Sequence, residues 1–371
     1  MHVQSIRLKY FKKFRDSQNR FDFTDSETGL ARPLVVLVGE NGSGKSTVLQ
    51  AIAATLGTAT RRLQWPGDLQ WPGFNLDLAG SAWNLPSEVL LKTAFTDAER
   101  NATVDYFKKV PGLIERPGLT QPSQDSPVTL RLYEGGVQAG TREQYFQFRG
   151  REYAKQIVKL VENGHRVFEN VGTVFWYTEH RTSTSLTAEV LSPANKGETD
   201  AFFEAKEDGS IHFDENLLRR RLADLMQFHS RVERGEYQLR PGQRDLFADL
   251  ERGYSTVFPN RRFEGSVPRS DVDEVLKDPW FFLYDGHHQY EISEMSGGER
   301  AIFPLIFDFA NWHINNSVVL IDEIELHLHP PLQQALIRAL PELGKNNQFI
   351  ITTHSDWIAD IVPHECVIRI E

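Results

Sequence analysis

Two apolar runs, Leu34–Val38 and Val318–Ile321, are unbroken rather than alternating, the pattern of strands buried on both faces of a parallel sheet, and 173–177 and 349–353 predict two further strands. Residues 2–8, 88–95, Val128–Tyr133 and 144–149 read differently. Residues 2–8 predict a first strand, and the other three alternate apolar and polar positions, which predicts an antiparallel layer beside the parallel core. Helical spacing takes over after residue 47, where Val48, Leu49, Ile52 and Leu56 recur with small alanines between them. Charged helix formers dominate 186–290, and the spacing predicts helices over Glu215–Glu233 and 244–257, separated at Pro241-Gly242. The first would span about 27 Å, which makes a compact lobe rather than a coiled-coil arm, and no heptad repeat is sustained. Residues 281–284 and 289–292 flank an Asp285-Gly286 turn and predict a hairpin. Two QWPG repeats, 64–67 and 70–73, read as turns packing their tryptophans.

The ends of the apolar runs carry the chemistry. After Leu34–Val38 the chain reads GENGSGKST over 39–47, which satisfies the G-x-x-x-x-G-K-[ST] phosphate loop between a strand and a helix. Gly39, Asn41, Gly42, Ser43, Gly44, Lys45, Ser46 and Thr47 are the candidate nucleotide contacts. Glycines let backbone N–H groups approach phosphates at the positive end of a helix, Lys45 neutralises the outer phosphates, and the Ser46 hydroxyl ligates magnesium. Val318–Ile321 ends in Asp322 and Glu323, an acidic pair suited to holding Mg2+ through Asp322 and activating water through Glu323. The run 349–353 is followed by His354, about 30 residues on, from where it can reach a γ-phosphate. Lys45, Glu323 and His354 are therefore the candidate catalytic residues, with ATP and Mg2+ as cofactors.

Composition narrows the setting. The chain has 371 residues, 40% apolar and 25% charged, with a net charge of −10, so a broad basic surface for nucleic acid is excluded. Local patches remain at Lys12, Lys13 and Arg15, at Arg219, Arg220 and Arg221, and at Arg261 and Arg262. For the middle patch two readings stand. One is a solvated helix face, with Leu218, Leu222, Leu225 and Met226 as the apolar stripe and Arg220 pairing with Asp224 one turn on; the other is a contact to DNA or RNA. The single cysteine, Cys366, cannot support a disulfide framework, and MHVQSIRLKY has no apolar core of signal-peptide length. The expectation is a cytoplasmic protein with no membrane segment.

Ser296, Gly297, Gly298 and Glu299, within SGGER, resemble the signature motif of ABC-type ATPases, and the phosphate loop, acidic pair and TTHS histidine match that family in order. The stretch IRLKYFKKF, SGGER and DEIELHLHP lean toward the RecF, SMC and OLD side, in a small stand-alone form without a long coiled coil. The resemblance covers about half of the chain, at its two ends. It implies an α/β P-loop NTPase with an ABC-type head, a mixed sheet core plus antiparallel β layer, and an inserted helical lobe. The expected domains are 1–186 and 291–371 as ATPase lobes and 187–290 as the helical insertion. It also implies that the signature of one protomer closes over the γ-phosphate held by another, giving an ATP-linked head-to-tail homodimer. The family's output implies a separate effector protein, in DNA maintenance or antiphage defence. No nuclease segment is legible, so cleavage, if it is the output, would come from a separate polypeptide.

Three departures from the family pattern stand out. No clear glutamine lies between the phosphate loop and the signature, and by topology its slot falls near Glu179, His180 and Arg181. Pro304 inside the helix after the signature removes a backbone hydrogen bond and should kink or delay that helix. Glu325, His327 and His329 allow a metal cluster, although the same segment occupies the place of the family's dimer-contacting loop. Two other functions fit parts of the pattern: a nucleotide-binding subunit of a membrane transporter, disfavoured by the missing glutamine, and a non-catalytic ATP-binding scaffold, disfavoured by the full catalytic set.

Overall fold

The computed structural model describes residues 1–15, 19–113, 119–161, 164–179, 215–240, 243–268 and 279–371. In chain order the elements are β1 (His2–Lys9), β2 (Arg20–Asp22), β3 (Leu34–Val38), α1 (Lys45–Ala59), α2 (Leu76–Ala79), β4 (Glu88–Ala94), α3 (Asp97–Lys109), β5 (Val128–Tyr133), β6 (Gly136–Ala139), α4 (Arg142–Phe146), α5 (Gly150–Ile157) and β7 (Val174–Tyr177). They continue with α6 (Glu215–Glu233), α7 (Leu246–Val257), β8 (Arg262–Val267), β9 (Trp280–Tyr284), β10 (Gln289–Glu291), α8 (Gly297–Trp312), β11 (Val318–Ile321), α9 (Pro330–Ala339), β12 (Gln348–Thr353), α10 (Asp356–Ile361) and β13 (Val367–Arg369).

The apolar runs form one sheet in the order β13-β3-β12-β11-β7, with every pairing parallel. Its two faces feed two cores. Val35, Leu37, Leu320 and Ile350 face α1 and the antiparallel sheet, whereas Val36, Val38, Ile321 and Ile351 face α7, α8 and α9. That division explains why the central strands carry no polar alternation: each buried Val, Leu or Ile contributes roughly 1.5–3 kcal/mol, and no position of β7, β11 or β12 faces water. The antiparallel sheet, β2-β1-β4-β5-β6, packs over α1. Helix α1 is thereby buried on all sides, which its alanines permit.

Several sequence expectations change. Residues 144–149 form no strand: Thr141 caps α4 through the Gln144 N–H while the Gln144 side chain returns to Thr141, and a short 3-10 turn follows. This capping box overrides the alternation. Of the two QWPG tryptophans, Trp71 is buried but Trp65 is 46% exposed. Pro304 lies inside an uninterrupted α8, buried against the sheet, so the helix is not delayed. The Pro241-Gly242 break lies outside the described residues, as do residues 187–214 of the expected insertion.

Helices α6 and α7 join the core that contains α8 and β11. Arg219 and Arg261 are drawn in with them, whereas Arg220 and Arg262 stay exposed. Arg219 is buried rather than solvated, its guanidinium forming a two-point pair with Glu291 of β10 at 2.8 and 2.9 Å. Burial opposes ionisation of Glu291, but the bonds from Arg219, Ser293 and the Phe281 N–H outweigh it and hold its carboxyl at about 2. Stability from this depressed pKa is fully present above the ordinary value of 4.5 and is lost as pH falls toward about 2. Denaturation midpoints measured across that window should therefore fall more steeply for the native chain than for Glu291→Gln. Arg219→Met, which strands the buried carboxylate, should cost about 3–5 kcal/mol at neutral pH.

Candidate functional site

The parallel sheet brings the phosphate loop, the acidic pair and the histidine to one place, because β3, β12, β11 and β7 are neighbours whose carboxyl ends lie at the same edge. Ligands of open α/β sheets bind at that edge. The register sets Val38 beside Thr353, and Ile321 beside both Ile351 and Tyr177. The phosphate loop, His354, the Asp322-Glu323 pair and Glu179 therefore emerge side by side.

Helix α1 begins at Gly44, whose φ of 101° is left-handed and whose position leaves 2.8 Å between a built Cβ and the Phe14 ring. Only glycine fits there. No side chain caps this helix and no acidic residue occupies its first turn, so its N–H groups form a ready anion site. Among the described residues the buried Ser43 hydroxyl has no hydrogen-bond partner, an orphan that a phosphate oxygen would satisfy. Lys45 Nζ, almost fully buried, donates to the Gly39 and Glu40 carbonyls at 2.8 and 3.0 Å. Burial lowers its pKa, while Glu323, Asp322 and Glu325 oppose that shift.

Ser46 Oγ donates to Asp322 Oδ1 at 3.0 Å, and Thr352 Oγ1 donates to the same oxygen at 2.6 Å. A hydroxyl and a carboxylate converging on one point form the all-oxygen donor set that suits magnesium. Glu323 sits at φ 45°, a sparsely populated conformation for a side chain of this size, with its N–H held by Thr352 Oγ1 at 2.8 Å. Such strain clusters at functional sites. Burial raises the pKa of Glu323, the charges of Glu179 and Asp322 add to the rise, and His354 opposes it. His354 Nδ1 lies 3.4 Å from Lys45 Nζ, and its Nε2 lies 3.7 Å from Glu323 Oε1. An ammonium has no lone pair, so Nδ1 is the acceptor and a neutral ring carries its proton on Nε2, toward Glu323.

Ser296 and Gly297 stand exposed at the start of α8, with Ser296 as its N-cap. Gly298 passes close to α9, where a built Cβ would meet Leu332 at 2.7 Å. Glu299 is buried, so among the predicted nucleotide contacts it is an anchor beneath the signature rather than an exposed group. Glu325 turns inward to accept the His354 N–H, and His329 precedes α9 as its N-cap. His180 and Arg181 lie outside the described residues. Glu179, named with them by topology in the sequence, has its carboxylate charge close enough to perturb Glu323. Lys12 leaves the surface patch, donating to Gln50 and to the Gly73 carbonyl, and Lys13 reaches the Gly42 carbonyl at 3.2 Å.

Residues 136–360, more than half of the chain, match the family described as "AAA domain, putative AbiEii toxin, Type IV TA system", and residues 5–75 match a family described as "AAA domain". The chain is 23% identical to a "Retron Vc95 probable ATPase" of Vibrio cholerae serotype O1 biovar El Tor, over 98% of this chain and 72% of that protein. It is 23% identical to the "Septu protein PtuA" of Bacillus mycoides (strain KBAB4), over 95% of this chain and 38% of that longer protein. Among solved structures it resembles an Smc head bound to the C-terminal winged-helix domain of ScpA, with a TM-score of 0.50, 17% identity, and 97% and 91% of the two chains covered. The fold is that of an ABC-type P-loop NTPase head without a long coiled coil. Among the described residues no helix is long and apolar enough to cross a membrane.

Proposed function

The chain belongs to this family of AAA domains, and from that premise we propose that it is an ATP-hydrolysing molecular switch that pairs head to tail on ATP and acts with a separate effector in antiphage defence or DNA maintenance. The observation that carries the ATPase part is the meeting of Lys45, Ser46, Asp322, Glu323 and His354 at one sheet edge. In this reading the N–H groups of 42–47 and Lys45 hold the β- and γ-phosphates. Ser46 and Asp322 hold Mg2+, which when bound neutralises charge on those phosphates. Glu323 takes the proton of a water whose oxygen bonds to the γ-phosphorus as the bond to the bridging oxygen breaks, leaving ADP and phosphate. The raised pKa of Glu323 suits a base, and His354, its Nε2–H directed to the same space, steadies the γ-phosphate.

Pairing rests on the signature. Ser296 and Gly297 are exposed on a helix start, and in the family such a start completes the site of a second copy. Ser296→Ala should therefore leave the ATP affinity of a lone protomer unchanged while turnover falls about 10²-fold, the scale of losing one transition-state donor. Nucleotide titration at protein concentrations below pairing, beside phosphate release, separates the two. A loss of affinity with unchanged turnover contradicts the shared site. The defence setting draws on relatives named for retron and Septu systems, and the effector is what copurifies from the native cell with ATP-trapped protein. DNA or RNA in that material would make nucleic acid a direct ligand.

A further inference from the structure

Beneath the exposed signature, the Glu299 carboxylate is shared between two groups of partners. Oε2 accepts from the Ser296 N–H at 2.9 Å and from Ser296 Oγ at 2.8 Å. Oε1 accepts from Tyr254 of α7 at 2.8 Å, from Tyr290 of β10, and from Arg261 between α7 and β8. Glu299 is 2% exposed, so its orientation is fixed by these partners and not by water. One oxygen faces the signature and the other faces the inserted segment. We propose that Arg261 is a positioning residue for the signature: acting through Glu299, it sets the placement of Ser296 and so couples the inserted lobe to engagement with a second copy's ATP.

Three features favour this over a purely structural ion pair. The Ser296 hydroxyl proton is held by Glu299, so contact with a phosphate oxygen requires that carboxylate to yield, and whatever binds its other oxygen governs how readily it does. The arginine is itself held in place, its guanidinium 5.2 Å from the centre of the Phe258 ring and 3.5 Å from the Tyr290 hydroxyl. A second link runs in parallel, because Arg219 of α6 grips Glu291 at the other end of the same segment, and Arg300 reaches back to the Ser293 carbonyl. The signature is thus tethered to the inserted lobe on both sides, and displacement of α6 or α7 by a bound partner would be transmitted to Ser296.

The inference rests on the shared-site reading above, and the test separates them. Arg261→Met should lower turnover at saturating ATP by about tenfold, leave protomer ATP affinity within about twofold, and be largely restored in Arg261→Lys. Adding Ser296→Ala to Arg261→Met should cost no more than Ser296→Ala alone, since both act through one contact. Measurements are made where circular dichroism shows the native fold; if Arg261→Met does not fold, Arg261→Gln and Tyr290→Phe carry the same cycle with smaller effects. Unchanged turnover in folded Arg261→Met, or losses that multiply with Ser296→Ala, overturns the proposal while leaving the shared site standing. A Ser296→Ala chain with native turnover removes both.

Discussion

Glu323→Gln should reduce phosphate release about 10²- to 10⁴-fold, the range of a general base, and convert a transient ATP-linked pair into a lasting one. The amide keeps the shape of the carboxylate but cannot take the proton. It also removes a negative charge from a group crowded by Asp322 and Glu179, so ATP should bind at least as tightly. Light scattering with ATP and Mg2+ should then show twice the protomer mass, returning to one protomer when nucleotide is withdrawn. A variant that loses turnover but stays single with ATP would keep the base and refute the switch.

Lys45→Ala should act earlier, at binding. The ammonium is nearly buried and already aimed into the loop by the Gly39 and Glu40 carbonyls, so its contact with phosphate needs no reorganisation. A charge-assisted hydrogen bond of this kind contributes about 1.5–3 kcal/mol, which is about 10²-fold in affinity at the upper end. Isothermal titration with a non-hydrolysable ATP analogue should show that weakening, and turnover at ordinary ATP should vanish. Alanine is a strong helix former at the start of α1, so the thermal midpoint should stay near that of the native chain. Native affinity in this variant would move the phosphate site away from residues 39–47.

The site was legible because it is built from local patterns at strand ends. A predicted strand followed by GENGSGKST, by DE or by a histidine needs only parallel pairing to converge, and the pairing β3-β12-β11-β7 supplies it. Glu179 was harder to single out: its neighbour was unknown until β7 was set beside β11, with Tyr177 opposite Ile321. The misread strand at 144–149 shows a short capping pattern defeating a short alternation. Helix α3 carried a comparable signal, Thr96 accepting the Glu99 N–H at its start, although its apolar positions are too sparse to announce a helix.

What the sequence concealed is how α6 and the turn before β8 are attached. Arg219 looked like one member of a solvated run, since i to i+4 spacing points to Arg220 and Asp224. Its actual partner, Glu291, is 72 residues away. Arg261 and Glu299 are likewise joined only by tertiary folding. Charge patterning sees neighbours on one helix face and not the buried acid across the core, so Arg219 and Arg261 read as members of surface patches.

The central claim is that each ATP site takes its phosphate loop from one copy and its signature from another. Two inactive chains, Lys45→Ala and Ser296→Arg, test it when mixed in equal amounts. A mixed pair holds one site with both defects and one with neither, so a random mixture should recover about a quarter of native turnover. A mixture no more active than either chain alone would contradict a shared site and return Ser296 to a structural role as the cap of its helix.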